Sequence, residues 1–161
     1  LSFGGSGVGW VFLLNEPEPE RVFVHEFGHA FGKLWDEYSS DDKTTPSWFP
    51  LKPNCARTKE EAKELWGDLV GVGEDYLEVG YHIDGCMHNK NLIRSTRESI
   101  MNNQDFISGE DWERGFGAVN ERCLLKIIEE GGRCSDPLSL SRFTQFIKTE
   151  YEKKVKENED S

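Results

Sequence analysis

Basic residues are in short supply: 19 Lys and Arg stand against 30 Asp and Glu over 161 residues, a formal net charge of -11. Nucleic acids and anionic membrane surfaces are held by clustered Lys and Arg, so neither is expected as a partner. No apolar run approaches the roughly 20 residues that cross a bilayer, and no membrane insertion is expected. The opening "LSFGGSGVGWVFLLNEPEPE" has no initiator Met, no basic flank and no small-residue cleavage site, so it does not read as a signal peptide. A processed product or an excised fragment is expected instead. Internal repeats are absent. The four cysteines, Cys55, Cys86, Cys123 and Cys134, show no CxxC spacing, which argues against a zinc ribbon or a thioredoxin-like redox motif. The glycines of "GGSGVG" precede the first strand-like run instead of following it, so they form a flexible lead-in and not a nucleotide fingerprint.

What remains fits one domain over residues 1–161, long enough to bury a core. An even cysteine count suits two disulfides in an oxidising compartment, secreted or in the cell envelope; buried free thiols in a cytoplasmic protein are the alternative. Cys123 and Cys134 flank "LLKIIEEGGR", where a helix ending at Gly131-Gly132 lets the chain fold back and bridge them.

The coarse pattern is α+β. Residues 9–14, "GWVFLL", read as a strand, and "NEPEPE" as an acidic loop after it. Pro17 and Pro19 hold off a helix until about Glu20. Val22, Phe23, Phe27, Ala30, Phe31 and Leu34 then recur at helical spacing, and Gly32 is expected to stop the helix in the left-handed conformation. Residues 39–56 are polar and proline-rich, a long loop. Thr58 and Glu61 have capping-box spacing for a helix through Leu65 and Trp66. Irregular structure with at most short strands is expected between Gly67 and Gly109. Ser108 with Asp111 is a weaker helix start. "GAVNERCLLKIIEE" and a final helix carrying Leu140, Phe143, Ile147 and Tyr151 complete the chain, which fades into the solvated "KKVKENEDS". Three parts result: a strand and helix over 1–38, a loop-rich segment over 39–107, and a helical part over 108–157.

The stretch that carries chemistry is "HEFGHAFGKLWDEY", residues 25–38. Four residues apart on a helix, His25 and His29 share a face and can bind one zinc ion. Glu26 flanks that ion without ligating it, in position to take a proton from water. No histidine stands where many such sites put the third ligand: in the metzincin spacing that place falls on Trp35, which cannot ligate. A continuous helix would carry Asp36 about 16 Å along the axis from His25. A sharp turn at Gly32 would bring it back beneath the metal. Asp36 is the first candidate for the third ligand, Glu37 the alternate, and a residue distant in sequence the remaining option.

"FVHEFGHAFGKLWDEY" resembles the signature of the IgA-peptidase family of zinc metallopeptidases, whose members carry His-Glu-Phe-Gly-His followed by Asp-Glu-Tyr. "RESIMNNQ" is similar to the segment with that family's Met-turn, and "FGAVNERCLLKII" to the helix after it. The resemblance covers about residues 7 to 130. It implies a metzincin-like fold, with a small mixed sheet whose edge strand lies over the active-site helix and a helical C-terminal part. It also implies one catalytic zinc, Met101 as the apolar floor beneath it, and endopeptidase activity on a peptide or protein lying along an edge strand, here "GWVFLL". Only 24 residues precede His25 where the family has a larger sheet, so a reduced or N-terminally incomplete version is expected.

Other residues are candidates by type. Tyr38 and Tyr81 could donate to an oxyanion, and Arg94 and Arg97 could bind substrate carbonyls or carboxylates. His82, Cys86 and His88 in "HIDGCMH" match no established ligand spacing, and solvated loop residues are the simpler expectation. Two further functions stand beside endopeptidase: a catalytically silent domain stabilised by zinc, and a zinc aminopeptidase, which would need an acidic pocket for the substrate's amine. The sequence leaves the oligomeric state unspecified.

Overall fold

The computed structural model describes residues 19–39, 53–87, 89–102, 115–131, 134 and 141–159. The expected strand over 9–14, the helix start at Ser108 and Asp111, and His88 lie outside them. Among the described residues there are four α-helices and one small sheet: α1 (Pro19–Ala30), α2 (Lys59–Trp66), α3 (Ala118–Glu130) and α4 (Ser141–Glu159). The class is α+β, as read from the pattern.

Among the described residues, which leave out the strand expected over 9–14, the sheet is small, as the resemblance implies, and its pairings are antiparallel. Its strands β1 (Cys55–Ala56), β2 (His82–Ile83) and β3 (Ile93–Arg94) stand in the order β1-β3-β2. Ala56 and Ile83 both pair with Ile93, and Cys55 and His82 with Arg94. β1 therefore begins inside the stretch expected to be loop up to residue 56.

α2 starts where its capping signal places it. Thr58 accepts a hydrogen bond from the Glu61 N–H at 3.2 Å, and Glu61 reaches back to the Arg57 N–H at 2.8 Å. α3 ends at Gly131 in the left-handed conformation, where a side chain would be strained. On α4, Phe143, Ile147 and Tyr151 are buried at four-residue spacing. The helix continues to Glu159, beyond the point where charge suggested fading. Its last turns are built from good helix formers, with Lys153 and Glu157 paired at 3.9 Å.

Two apolar clusters make most of the core. The larger joins Trp66 and Leu69 to Val119 of α3 and to Ile147 and Tyr151 of α4. Fully buried Trp66 also donates its indole N–H to the Gly80 carbonyl at 2.8 Å. The smaller joins Leu34, Met101 and the bridged pair Cys123–Cys134, with Phe116 and Ile127 against them. A second disulfide, Cys55–Cys86, ties β1 to the turn after β2.

α1 begins at Pro19, one residue earlier than expected, because a missing N–H is no loss in the first turn. Its end corrects the sequence reading. The left-handed residue is Lys33, with φ 53°, and not Gly32. Glycine is needed at 32 for closeness: a Cβ there would lie 2.8 Å from the Gly28 carbonyl oxygen and 2.8 Å from Leu124. The Leu34 N–H then donates to the Gly28 carbonyl at 3.2 Å, closing a tight reversal. Gly32→Ala is expected to destabilise the fold by about 1–3 kcal/mol through overlap. Lys33→Gly is expected to be neutral or stabilising, by up to about 1 kcal/mol, because it relieves the left-handed strain. Thermal melts of both variants check the pair, and a stable Gly32→Ala with a weakened Lys33→Gly would reverse the assignment.

Candidate metal centre

α1 presents His25 and His29 one turn apart, with ring centroids 4.7 Å apart and planes at 86°. Each ring is held from behind by a backbone carbonyl. His25 Nδ1 donates to Ile100 O at 2.8 Å, and His29 Nδ1 to Leu34 O at 2.9 Å. A carbonyl can only accept, so in the neutral rings the hydrogen sits on Nδ1 and the Nε2 lone pairs face forward.

The reversal at Gly32 brings a third acceptor to the same point. Asp36 Oδ1 lies 3.1 Å from His25 Nε2 and 3.1 Å from His29 Nε2, and the two nitrogens are 3.1 Å from each other. Three lone pairs at that spacing repel unless protons or a cation lie among them. Ligands held tetrahedrally by one ion at 2.0–2.1 Å stand about 3.3 Å apart, so the set has the size and chemistry of a metal site. Among the described residues it is the one cluster of three or more such side chains close enough to share an ion.

The charge balance agrees. Burial works against a charged Asp36, but hydrogen bonds from His25 and His29, together with their charges, hold its carboxyl well below the usual range. Burial likewise opposes charge on His29. The hydrogen bond and charge of Asp36, the Leu34 carbonyl and the charge of Glu26 overcome it and raise the imidazole.

Asp36 and its neighbour Glu37 face opposite ways. The strap carrying them is pinned along its backbone: Asn54 exchanges two hydrogen bonds with Trp35, at 3.0 and 2.9 Å, and Met87 N–H donates to Asp36 O at 2.9 Å. Glu37 N–H donates to Met101 O at 2.7 Å. With Asp36 turned to the histidines, the Glu37 carboxylate points inward and accepts from Asn54, Ser99 and Asn120. Of the two acids, Asp36 is the one beside the histidines.

Met101 is fully buried directly under α1. A Cβ on Gly28 would stand 2.5 Å from its sulfur and 2.9 Å from Phe116, so glycine between the histidines lets the methionine reach the helix backbone. Glu26 is half-buried on α1, and its charge is felt at both His29 and Tyr38. Tyr38 hydrogen-bonds Asp36. Burial, then the charges of Asp36 and Glu26, push its phenol far above its ordinary value, so it stays a donor.

The remaining candidates sit in the scaffold. Tyr81 packs against the larger core cluster, its ring 5.3 Å from Lys59 Nζ. Arg94 donates to Glu37 O at 3.0 Å and to Asn102 Oδ1 at 2.7 Å. Arg97 is exposed, and its carbonyl accepts from Asn102. Cys86 of "HIDGCMH" is disulfide-bonded and so cannot serve as a thiolate ligand to a metal. Asn54, Ser99 and Asn120 also belong to the site and carry no signal in the sequence: no spacing rule links residues 17, 62 and 83 positions from Glu37.

No protein-family model matches the chain, and no curated protein matches it.

Asp36→Ala is expected to weaken Zn2+ binding by at least about a hundredfold, because one of three ligands goes. Protons compete for the same nitrogens, so affinity should also fall about tenfold or more per pH unit as the solution is acidified from 7 toward 5.5. Competition titration with a chromophoric chelator measures both, and a pH-independent affinity would count against ligation by His29.

Proposed function

We propose that this chain is a zinc-dependent endopeptidase, with His25, His29 and Asp36 holding the ion and Glu26 as general base. The observation that supports it most is the convergence of the three acceptors at 3.1 Å, with a carboxylate next to His25 on the same helix. When bound there, zinc supplies a Lewis acid and lowers the pKa of water to about 7. Glu26 takes the proton from the attacking water and hands it to the leaving amine. Tyr38, kept protonated, hydrogen-bonds Asp36; with its single O–H turned away from that carboxylate it would serve an oxyanion. Met101 and Gly28 give the site a dry, rigid floor.

The sequence resemblance to the IgA-peptidase family and its metzincin-like fold supports the same reading and favours peptides as substrates. Two disulfides fit secretion or the cell envelope, and no helix among the described residues is long and apolar enough to cross a membrane. A silent, zinc-stabilised domain is favoured less. Structural zinc sites close with four protein ligands, whereas three converge here among the described residues.

Wild type and Glu26→Gln, compared for zinc content and peptide cleavage, test the proposal. Both should hold about one zinc per chain, and the variant should lose cleavage by about 10²–10⁴-fold. Equal turnover by the two proteins would end the general-base assignment. Release of free amino acids from peptide amino termini would favour an aminopeptidase.

A further inference from the structure

Glu37 is a buried acid that the metal set does not use. Its side chain is fully enclosed. Oε1 accepts from Asn54 Nδ2 and Asn120 Nδ2, both at 3.0 Å, and Oε2 accepts from Ser99 Oγ at 2.5 Å. Ser99 Oγ in turn accepts the Met101 N–H at 3.0 Å. The Glu37 backbone adds two more ties: its N–H donates to Met101 O at 2.7 Å, and its carbonyl accepts from Arg94 at 3.0 Å. One residue thus joins the Asp36 strap to the residue before β1, to β3, to the Met101 turn and to α3.

We propose that Glu37 is a positioning residue for the metal centre, setting Asp36 Oδ1 and the Met101 turn in register with the two histidines. The inference rests on the metal-site reading above. Two ligand placements depend on the network. Asp36 is the adjacent residue, so any rotation of the strap that frees Glu37 swings Asp36 off the histidines. Ile100, whose carbonyl orients His25, lies between Ser99 and Met101, both tied to Glu37. Three donors converge on this side chain, and an acceptor-only group satisfies all of them. Glutamine has nearly the same shape but sets a donor against one of those donors. The alternative is a rotated Ser99 whose hydroxyl hydrogen loses its acceptor. Ligand-orienting partners of this kind change metal affinity by about 10–100-fold when altered.

The test titrates the full chain with Zn2+ by competition and with Co2+ by visible absorption, whose ligand-field bands report coordination geometry. Four proteins are compared: wild type, Glu37→Gln, Ser99→Ala and Arg122→Met. Arg122 is a buried control in a separate network, bonded to Asp68, Thr144 and the Leu65 carbonyl. Glu37→Gln should bind Zn2+ about 10–100-fold more weakly, with altered Co2+ bands. Ser99→Ala should shift both in the same direction by less, and it carries the test if Glu37→Gln does not fold. Arg122→Met should lower the melting temperature while keeping wild-type affinity and bands. Wild-type binding in Glu37→Gln and Ser99→Ala overturns the positioning role and leaves the metal centre standing. So does an equal loss in Arg122→Met, which would mark the effect as general destabilisation. A wild-type chain that binds neither ion overturns the metal centre itself, and this role with it.

Discussion

Three acceptor atoms held 3.1 Å from one another are the constraint around which the described chain is arranged. Such a grouping is unfavourable by itself, so the fold must supply rigid support on every side of it. Carbonyls of Ile100 and Leu34 fix the two imidazoles from behind. Gly28 and Gly32 let Met101 and Leu124 approach the helix where any side chain would collide.

Adjacent acids take opposite roles in that support because their surroundings differ. The Asp36 side chain keeps 21% of its surface open and meets two imidazoles, whereas Glu37 is closed off entirely and meets neutral amides and a hydroxyl. Burial pushes the Glu37 carboxyl up, and Ser99, Asn120, Asn54 and the charge of Arg94 pull it back only in part. The disulfides brace the two ends of the same strap. Cys55 Sγ lies 4.0 Å from Asp36 O, and Cys123 Sγ lies 3.5 Å from Gly32 O. Each bridge also restricts the unfolded chain, which favours the compact state.

The parts legible in the sequence were the local ones. Helical spacing of His25 and His29, the Thr58–Glu61 cap and the stripe on α4 depend on residues within a turn or two of each other. The approach of Asp36 to the histidines needed a bend, and a glycine at 32 signalled one, although its conformational role fell to Lys33. What stayed hidden was long-range. Nothing in the spacing of Asn54, Ser99 and Asn120 says that they meet on one carboxylate. The placement of Tyr81 and Arg94 in the scaffold follows from packing that residue type alone cannot express. The pairing of the sheet was hidden too, since strands of two residues leave no alternating pattern to place them.

The most direct measurement is X-ray absorption at the zinc edge of the purified, zinc-loaded chain. About one ion per chain is expected, bound by two imidazole nitrogens and carboxylate or solvent oxygen, all at about 2.0–2.2 Å. A sulfur shell near 2.3 Å would contradict it, as would a chain that retains no zinc at all.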